Sequence, residues 1–264
     1  MKIFLDTAET DIVSKHWKTG LIDGLTTNPT LIRKSGRKHE EVYQELKDIG
    51  IPDISMEVIG NTENMISEGK RLHKKFGKCA TIKVPCTPEG LAACVRLSLD
   101  GIKVNVTLIF SPAQAILAAK AQAAYVSPFV GRVDDNSFGG LCLVKDIAKV
   151  FREHMVRTEV LAASVRDVRS VGRAFEYGAD IVTMPTGVFE KMYKHVLTDA
   201  GLKQFDIDYA ASIACDGENI SVTFTLTNDL DSCLHTYNPS GVHGTLIVAS
   251  LPNLLASLRP SHNI

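Results

Sequence analysis

The chain lacks several features that mark common functional classes. Lys and Arg number 29 against 30 Asp and Glu, a formal charge of -1 over 264 residues, so it has no basic excess of the kind that binding a nucleic-acid backbone requires. It contains no run of about 18 apolar residues, and the opening MKIFLDT lacks the regions of a secretory signal. We therefore expect a soluble, cytoplasmic protein that binds neither nucleic acid nor membrane.

Motifs for metal, disulfide and nucleotide chemistry are also missing. The six cysteines show no CxxC spacing, which argues against zinc and against a disulfide framework. Cys86 follows an apolar strand with no histidine near it in sequence, so we expect no catalytic thiol. The eight histidines are dispersed, and neither GxGxxG nor GxxxxGK[ST] occurs. A metal site, a histidine triad and a doubly wound nucleotide fold are therefore not expected.

What the chain does contain is an alternation of short apolar, β-branched runs with longer segments of helical period. The runs predict strands at 2–7, 24–28, 54–58, 80–84, 104–109, 125–130, 160–164 and 181–184. The segments between them, such as 61–77, 87–101 and 111–123, open with a capping residue or an early proline and predict crossover helices. Eight βα units favour a single (β/α)8 TIM barrel of the α/β class.

The composition changes near residue 212. Residues 197–212 have helical spacing and predict a C-terminal helix, so we assign 1–212 to the barrel with this helix. Residues 213–264 lose the βα rhythm, alternate like a strand at 220–226, and hold one Arg and no Lys. We leave this tail unassigned, either an irregular or partly ordered appendage or a small contact with another subunit or a partner.

Polar residues at the carboxyl ends of the predicted strands are the candidates for function, because a β/α barrel places its active site there. The rule selects ten residues: Asp6, Asn28, Glu57, Lys83, Asn105, Thr107, Ser127, Arg132, Ser164 and Arg166.

Lys83 is the most informative of them. It lies inside the apolar string TIKVP, where a buried lysine is costly unless it is neutral or paired. A neutral amine is the nucleophile that attacks a carbonyl to form a Schiff base. The alternative is a lysine that leaves the strand end to pair with Glu57 or Asp6.

Asp6 and Glu57 bring two carboxylates to the same end of the barrel. Cleavage of a C–C bond needs one group to take the proton from the hydroxyl β to the imine carbon, and another can act through water. Without the lysine, the two residues would be interpreted as part of a structural ion pair. Together with Lys83 they favour catalysis.

The remaining candidates fit substrate contacts, each with a structural alternative. Asn28 precedes Pro29 and could simply cap a helix. Asn105 and Thr107 share one face of a strand and can both point into the barrel, where polar groups need partners. Arg132 and the Ser164, Arg166 pair resemble a phosphate clamp, although each arginine alone could be a surface residue.

The strings FLDT, GLTTNP, MEV, TIKVP, VNVTLIF, SPFVGRVDD and AASVR, in this order, resemble the transaldolase family in its short form. The resemblance covers about residues 1–212 and implies a class I mechanism without metal or organic cofactor. It implies that Lys83 is the Schiff-base lysine, that Asp6 is the acid/base, and that Glu57 with Thr107 holds a catalytic water.

The same resemblance implies how substrate is bound and used. Asn28 and Asn105 would hold the dihydroxyacetone unit, and a second group would bind the phosphate: Ser127, Arg132, Ser164 and Arg166. The reaction would transfer dihydroxyacetone from sedoheptulose 7-phosphate or fructose 6-phosphate to an aldose phosphate, in the pentose phosphate pathway. Family members commonly assemble as pentamers or decamers, so a homo-oligomer is expected.

Other functions remain open. Related fructose-6-phosphate aldolases release free dihydroxyacetone; they typically have Gln at the position of Glu57 and Tyr at that of Phe129, and their fifth strand differs in composition. A tyrosine hydroxyl would help to protonate the enamine, so Phe129 favours the transferase, although it could be simple packing. A deoxyribose-phosphate aldolase would need a second lysine near Lys83, and a non-catalytic sugar-phosphate binder would not need the acid/base residues.

Overall fold

The computed structural model describes the backbone of residues 1–215 and the side chains of residues 1–212. The chain divides into a unit spanning Met1–Tyr193 and a second unit that begins at Lys194. The first unit contains eight parallel strands: β1 (Lys2–Asp6), β2 (Gly24–Thr26), β3 (Ile54–Glu57), β4 (Ala80–Pro85), β5 (Val104–Ile109), β6 (Tyr125–Pro128), β7 (Glu159–Ala162) and β8 (Ile181–Met184).

These strands close into a barrel in sequence order, and β1 pairs with β8. The predicted TIM barrel is confirmed. The register places Glu57 beside Lys83, and Lys83 beside Asn105, on three neighbouring strands. Alternation along β5 buries Val104 and Val106 among the apolar core residues, which leaves the intervening Asn105 and Thr107 on the opposite face, towards the barrel interior.

Helices follow the strands. In the first unit they are α1 (Thr10–Trp17), α2 (Pro29–Ser35), α3 (His39–Ile49), α4 (Thr62–Phe76), α5 (Pro88–Leu99), α6 (Pro112–Lys120), α7 (Val130–Asp134), α8 (Gly140–Glu153), α9 (Val168–Glu176) and α10 (Thr186–Lys191). Three of them begin with proline after a side-chain cap from Asn28, Thr87 or Ser111. This is the start signal that the sequence predicts.

The predicted boundaries differ from the structure mainly at the carboxyl ends of strands. Strand β2 ends at Thr26 rather than at residue 28, because Asn28 already caps α2. Strand β6 ends at Pro128, and the chain then turns into the short helix α7. Residues 27 and 28 therefore lie in a loop, whereas residue 129 precedes α7 and residue 130 begins it.

The amino end of the barrel is sealed by a buried acid. Asp53 accepts hydrogen bonds from the Thr81 hydroxyl at 2.7 Å, from the Tyr125 hydroxyl at 2.7 Å and from the Lys103 ammonium at 2.5 Å. Burial, together with the carboxylate of Asp53, raises the pKa of Tyr125. Because the buried carboxylate of Asp53 and the buried hydroxyls of Thr81 and Tyr125 are all paired, these polar groups stabilise the amino end of the barrel.

The second unit contains helix α11 (Val196–Cys215), which confirms the helix predicted over 197–212. The predicted tail, including the alternation at 220–226, lies outside the described residues. No helix within the described part of the chain is both long and apolar enough to cross a bilayer.

Candidate active site

A cleft opens at the carboxyl ends of the strands and collects most of the candidates. Seven predicted residues line it: Asp6, Asn28, Lys83, Ser127, Phe129, Arg132 and Ser164. Thr26, Ala163 and Thr183 complete the lining. Glu57 reaches the same place through its contact with Lys83, and Asn105 through its contact with Ser127.

Lys83 lies at the centre of this group. Its side chain is only 7% exposed, and its Nζ is 3.0 Å from Oε2 of Glu57. The same Nζ donates a hydrogen bond of 3.1 Å to the carbonyl oxygen of Thr27. The lysine is therefore both buried and paired, as the structural alternative requires. It also lies in the cleft, as the catalytic interpretation requires, so the two do not exclude each other.

Asp6 faces the lysine from β1. The Thr26 hydroxyl donates to Oδ1 of Asp6 at 2.8 Å, and the Thr26 oxygen lies 2.7 Å from the Thr183 hydroxyl. Burial raises the pKa of Asp6, and the bond from Thr26 and the charge of Lys83 partly offset this effect. A carboxyl with a raised pKa takes up and returns a proton more readily near neutral pH.

The interior wall of the cleft is a chain of neutral polar groups. The Ser127 hydroxyl donates to Oδ1 of Asn105 at 2.7 Å, and Nδ2 of Asn105 donates to Oγ of Ser55 at 3.1 Å. Asn105 is fully buried and is oriented by both contacts. The Thr107 hydroxyl is also buried, and it has no hydrogen-bond partner among the described residues. A buried hydroxyl of this kind is available to a ligand or to water.

Asn28 has two roles that its side chain can combine. Its Oδ1 accepts from the backbone N–H of Leu31 at 3.0 Å and caps α2, so the structural interpretation of TTNP is correct. The side chain also lines the cleft. Because an amide has a separate donor group, the cap leaves Nδ2 available to a substrate oxygen.

The arginine end of the cleft is built on two βα loops, which we call the two arginine loops. The first runs from β6 to α8, contains the short helix α7 and is called the Arg132 loop; the second runs from β7 to α9 and contains Ser164 and Arg166. Arg132 belongs to α7 rather than to a strand end, and its guanidinium lies 4.8 Å from the centre of the Phe129 ring. Ser164 follows β7 with φ 58°, a left-handed conformation that is uncommon for serine and recurs at binding sites. Its carbonyl accepts from the N–H of Gly131 at 3.0 Å, which ties the two loops together.

Arg166 does not line the cleft itself. It forms a two-pronged ion pair with Asp135, at 2.6 Å between Nη2 and Oδ2, and more than half of its side chain is exposed. It nevertheless lies close to Gly131, where an added methyl carbon would come within 2.7 Å of its Nε. Arg166 therefore borders the Arg132 loop, and Asp135 fixes its direction.

The sequence interpretation missed Thr26, Thr183 and Asp135. Thr183 is a polar residue in the apolar string IVTM, and the argument applied to Asn105 and Thr107 would have selected it. Asp135 carries no such signal, because an exposed acid after a helix is common. Burial raises the pKa of the Cys86 thiol, which agrees with the expectation that it is not a nucleophile.

The fold has relatives among solved structures. A flavocytochrome b2 Arg289Lys mutant matches with a TM-score of 0.53 and 13% identity, over 70% of this chain and 56% of that chain. At this identity the likeness concerns the fold alone. The closed barrel of eight parallel strands places the first unit in the broad class of β/α barrels.

Sequence comparison identifies the family. The model of the Transaldolase/Fructose-6-phosphate aldolase family matches residues 3–243. A probable transaldolase of Caulobacter vibrioides is 50% identical over 213 residues, covering 80% of this chain and 98% of that protein. Probable transaldolases of Aquifex aeolicus (47%, 79% of this chain, 96% of that protein) and Methanococcus maripaludis (48%, 80% and 98%) are similar. The chain belongs to the transaldolase/fructose-6-phosphate aldolase family.

The family assignment confirms the resemblance inferred from the motifs. The family model extends to residue 243, beyond the roughly 212 residues that the motifs covered. The relatives themselves align over 210 to 213 residues.

Proposed function

We propose that this protein is a transaldolase that transfers a dihydroxyacetone unit from a ketose phosphate to an aldose phosphate through a Schiff base on Lys83. The single observation that carries the proposal is the buried amine of Lys83, 3.0 Å from Glu57, in a cleft that it shares with Asp6. One nucleophile and two carboxylates are the groups that reversible C–C cleavage requires. The relatives, each named a probable transaldolase, support the same activity.

The reaction begins when the Lys83 amine attacks the ketone of fructose 6-phosphate or sedoheptulose 7-phosphate and water leaves. Asp6 then removes the proton of the C4 hydroxyl. The C3–C4 electron pair moves into the iminium, the C3–C4 bond breaks, and an aldose phosphate departs. The three-carbon enamine stays on Lys83 until an acceptor aldehyde adds to it, and Asp6 returns the proton to the new hydroxyl.

Glu57 and Thr107 serve the steps that form and hydrolyse the imine. Both steps move protons between the amine, the carbinol oxygen and water. The contact of Glu57 with Nζ supports a role for the two residues in holding that water, as does the Thr107 hydroxyl, which has no partner in the described part of the chain. Asn28 and Asn105 would hold the hydroxyls of the dihydroxyacetone unit.

The arginine end of the cleft binds the phosphate in this proposal. Arg132, Ser164 and Ser127 line the cleft together with Lys83. Arg166 borders the same loop and would add a second cation when phosphate competes with Asp135 for it. Guanidinium groups suit this task because they can bind phosphate through two parallel hydrogen bonds.

The cellular location, the pathway and the oligomeric state of the enzyme are also proposals. We infer a cytoplasmic enzyme of the pentose phosphate pathway that acts as a homo-oligomer, a pentamer or a decamer as in the short transaldolases that its motifs resemble. The catalytic part would be residues 1–212. Light scattering of the full chain measures the assembly directly.

An acceptor-dependence assay tests the proposed function. Fructose 6-phosphate is supplied with and without erythrose 4-phosphate, and glyceraldehyde 3-phosphate and free dihydroxyacetone are measured. A transaldolase yields glyceraldehyde 3-phosphate in quantity only with the acceptor. Accumulation of free dihydroxyacetone without the acceptor would instead support a fructose-6-phosphate aldolase. It would also mean that Phe129 does not decide between transferase and aldolase activity.

A further inference from the structure

Two buried threonines form a hydroxyl chain that ends on Asp6. Thr26 is on β2 and Thr183 on β8, and both strands pair with β1, which carries Asp6 at its end. The Thr26 hydroxyl lies 2.8 Å from Oδ1 of Asp6 and 2.7 Å from the Thr183 hydroxyl. Both threonines line the cleft and are at most 3% exposed.

The direction of this chain follows from counting protons. A threonine hydroxyl has one proton to donate, and an ionised carboxylate can only accept. While Asp6 is ionised, Thr26 must donate to Oδ1, so the bond between the two threonines must run from Thr183 to Thr26. Thr183 therefore holds the proton of Thr26 on Asp6 and prevents it from rotating away.

The other carboxylate oxygen is left for the reaction. Within the described residues, Oδ2 of Asp6 accepts no hydrogen bond, whereas Oδ1 is occupied by Thr26. A proton taken from a substrate hydroxyl would accordingly arrive on Oδ2. The carboxyl group is therefore fixed through Oδ1, and Oδ2 remains available to the substrate.

We propose that Thr26 and Thr183 are positioning residues for the acid/base carboxyl, which fix the orientation of Asp6 and stabilise its ionised form between proton transfers. This inference rests on the proposed function, because it assigns Asp6 the role of removing the C4 hydroxyl proton. It adds that hydroxyl groups on two flanking strands, which need not touch the substrate, oppose the rise in the pKa of Asp6 that burial causes.

Two charged groups also act on the pKa of Asp6, and their effects must be distinguished from those of the threonines. Lys83, on β4, favours the ionised carboxylate, and Glu57, on β3, opposes it. Neither is altered by substitutions on β2 or β8. A change in the acid limb of the pH–rate profile after such a substitution therefore reports the hydroxyl chain, provided that Lys83 still forms its adduct.

The test is the pH dependence of kcat for dihydroxyacetone transfer in four variants. Thr26→Val removes the hydroxyl without changing the shape of the side chain. Without the donor the carboxylate is less stable, the pKa of Asp6 rises, and the acid limb moves to higher pH by about one unit. Thr183→Val moves it in the same direction by a smaller amount. Thr26→Ser and Thr183→Ser restore the hydroxyls and the wild-type limb.

Thr158→Val is the matched control. Thr158 is also buried, but it donates to the carbonyl of Ala123 at 2.8 Å, just before the amino end of β7. Thr158→Val also removes a buried hydroxyl, but at the end of the barrel opposite to Asp6. Its acid limb should coincide with that of the wild type.

The outcomes separate this inference from the proposed function. Borohydride trapping on Lys83 and acceptor-dependent transfer are measured in the same preparations. If the wild type shows neither, the proposed function is wrong. If wild type and variants are folded and active, and both valine variants keep the wild-type limb, the positioning role is wrong. Thr183→Val decides the question alone if Thr26→Val does not fold, because within the described residues the Thr183 hydroxyl bonds to Thr26 and not to Asp6.

Discussion

Nζ of Lys83 lies 3.0 Å from Oε2 of Glu57, and the two side chains are only 7% and 16% exposed. Their strands place them side by side in register. A buried charge of this kind needs its partner, because removing one member leaves the other without compensation. The pair also brings a carboxylate within reach of the atom that would form the imine.

Replacing Glu57 by Gln separates the charge from the shape of this side chain. We expect Glu57→Gln to lower kcat by about 10²-fold or more, the range for loss of a general acid/base group, and to leave borohydride trapping possible. Glu176→Gln, in an exposed pair with Arg173 on α9, is the control and should be as active as the wild type. Full activity of Glu57→Gln would remove Glu57 from the mechanism.

We expect the ionised carboxylate of Asp6 to destabilise the folded protein at neutral pH. Burial raises the pKa of Asp6 in the folded protein above the ordinary 3.8. The contribution of Asp6 to the free energy of unfolding is therefore most favourable below pH 3.8 and is lost as pH rises through the raised pKa. Asp6→Asn cannot ionise and should melt at a higher temperature than wild type at pH 7.5. The difference should close as the solution becomes acidic.

Rising pH should have the opposite effect on stability through Asp100, because the pKa of Asp100 is lowered by its hydrogen bond and ion pair with Lys70. Asp100→Asn should not stabilise the protein at neutral pH. Melting temperatures of both variants from pH 4 to pH 8 provide the measurement. A lower melting temperature for Asp6→Asn than for wild type at neutral pH would show that the ionised carboxyl is well compensated.

Phosphate recognition can be separated from chemistry by choice of donor. Arg132→Ala and Arg166→Ala should each raise KM for fructose 6-phosphate by about 10- to 100-fold, since a hydrogen bond to a charged group contributes about 1.5–3 kcal/mol. They should change the reaction of unphosphorylated fructose little. Arg173→Ala, on the exposed face of α9, is the matched control. Equal losses with both donors would place the arginines elsewhere in the mechanism.

Gly131 holds the two arginine loops close together. A methyl carbon there would lie 2.4 Å from the carbonyl oxygen of Ser164 and 2.7 Å from Nε of Arg166, whereas one at Gly172 would meet no atom of the described residues within 4 Å. Gly131→Ala should lower the melting temperature and raise KM for phosphorylated donors. Gly172→Ala, inside helix α9, should stabilise the protein by about 0.5–1 kcal/mol. If Gly131→Ala leaves both quantities unchanged, the loops are not constrained as described.

The barrel could be predicted from the sequence because each strand is a short apolar run bounded by turn and cap residues. Local signals of this kind survive in the folded protein, as the proline after the Asn28 cap illustrates. Lys83 could be identified for the same reason, since a lysine inside TIKVP conflicts with its own strand. A residue that contradicts its local pattern is the strongest signal that a single sequence offers.

Contacts between distant residues could not be predicted in this way. Thr26 and Thr183 are 157 positions apart, and only closure of β1 against β8 brings the second threonine to the first. Asp135 and Arg166 are 31 positions apart on two loops, where no periodicity fixes the geometry. Sequence pattern therefore located most of the candidate residues that line the cleft and missed the residues that hydrogen-bond to two of them, Asp6 and Arg166.

Trapping of the Schiff base tests the central claim most directly. Fructose 6-phosphate is mixed with the full chain, sodium borohydride is added, and the protein is digested and analysed by mass spectrometry. We predict one reduced three-carbon adduct, located on Lys83, and none in Lys83→Ala. An adduct on another lysine, or turnover by Lys83→Ala at the wild-type rate, would contradict the account.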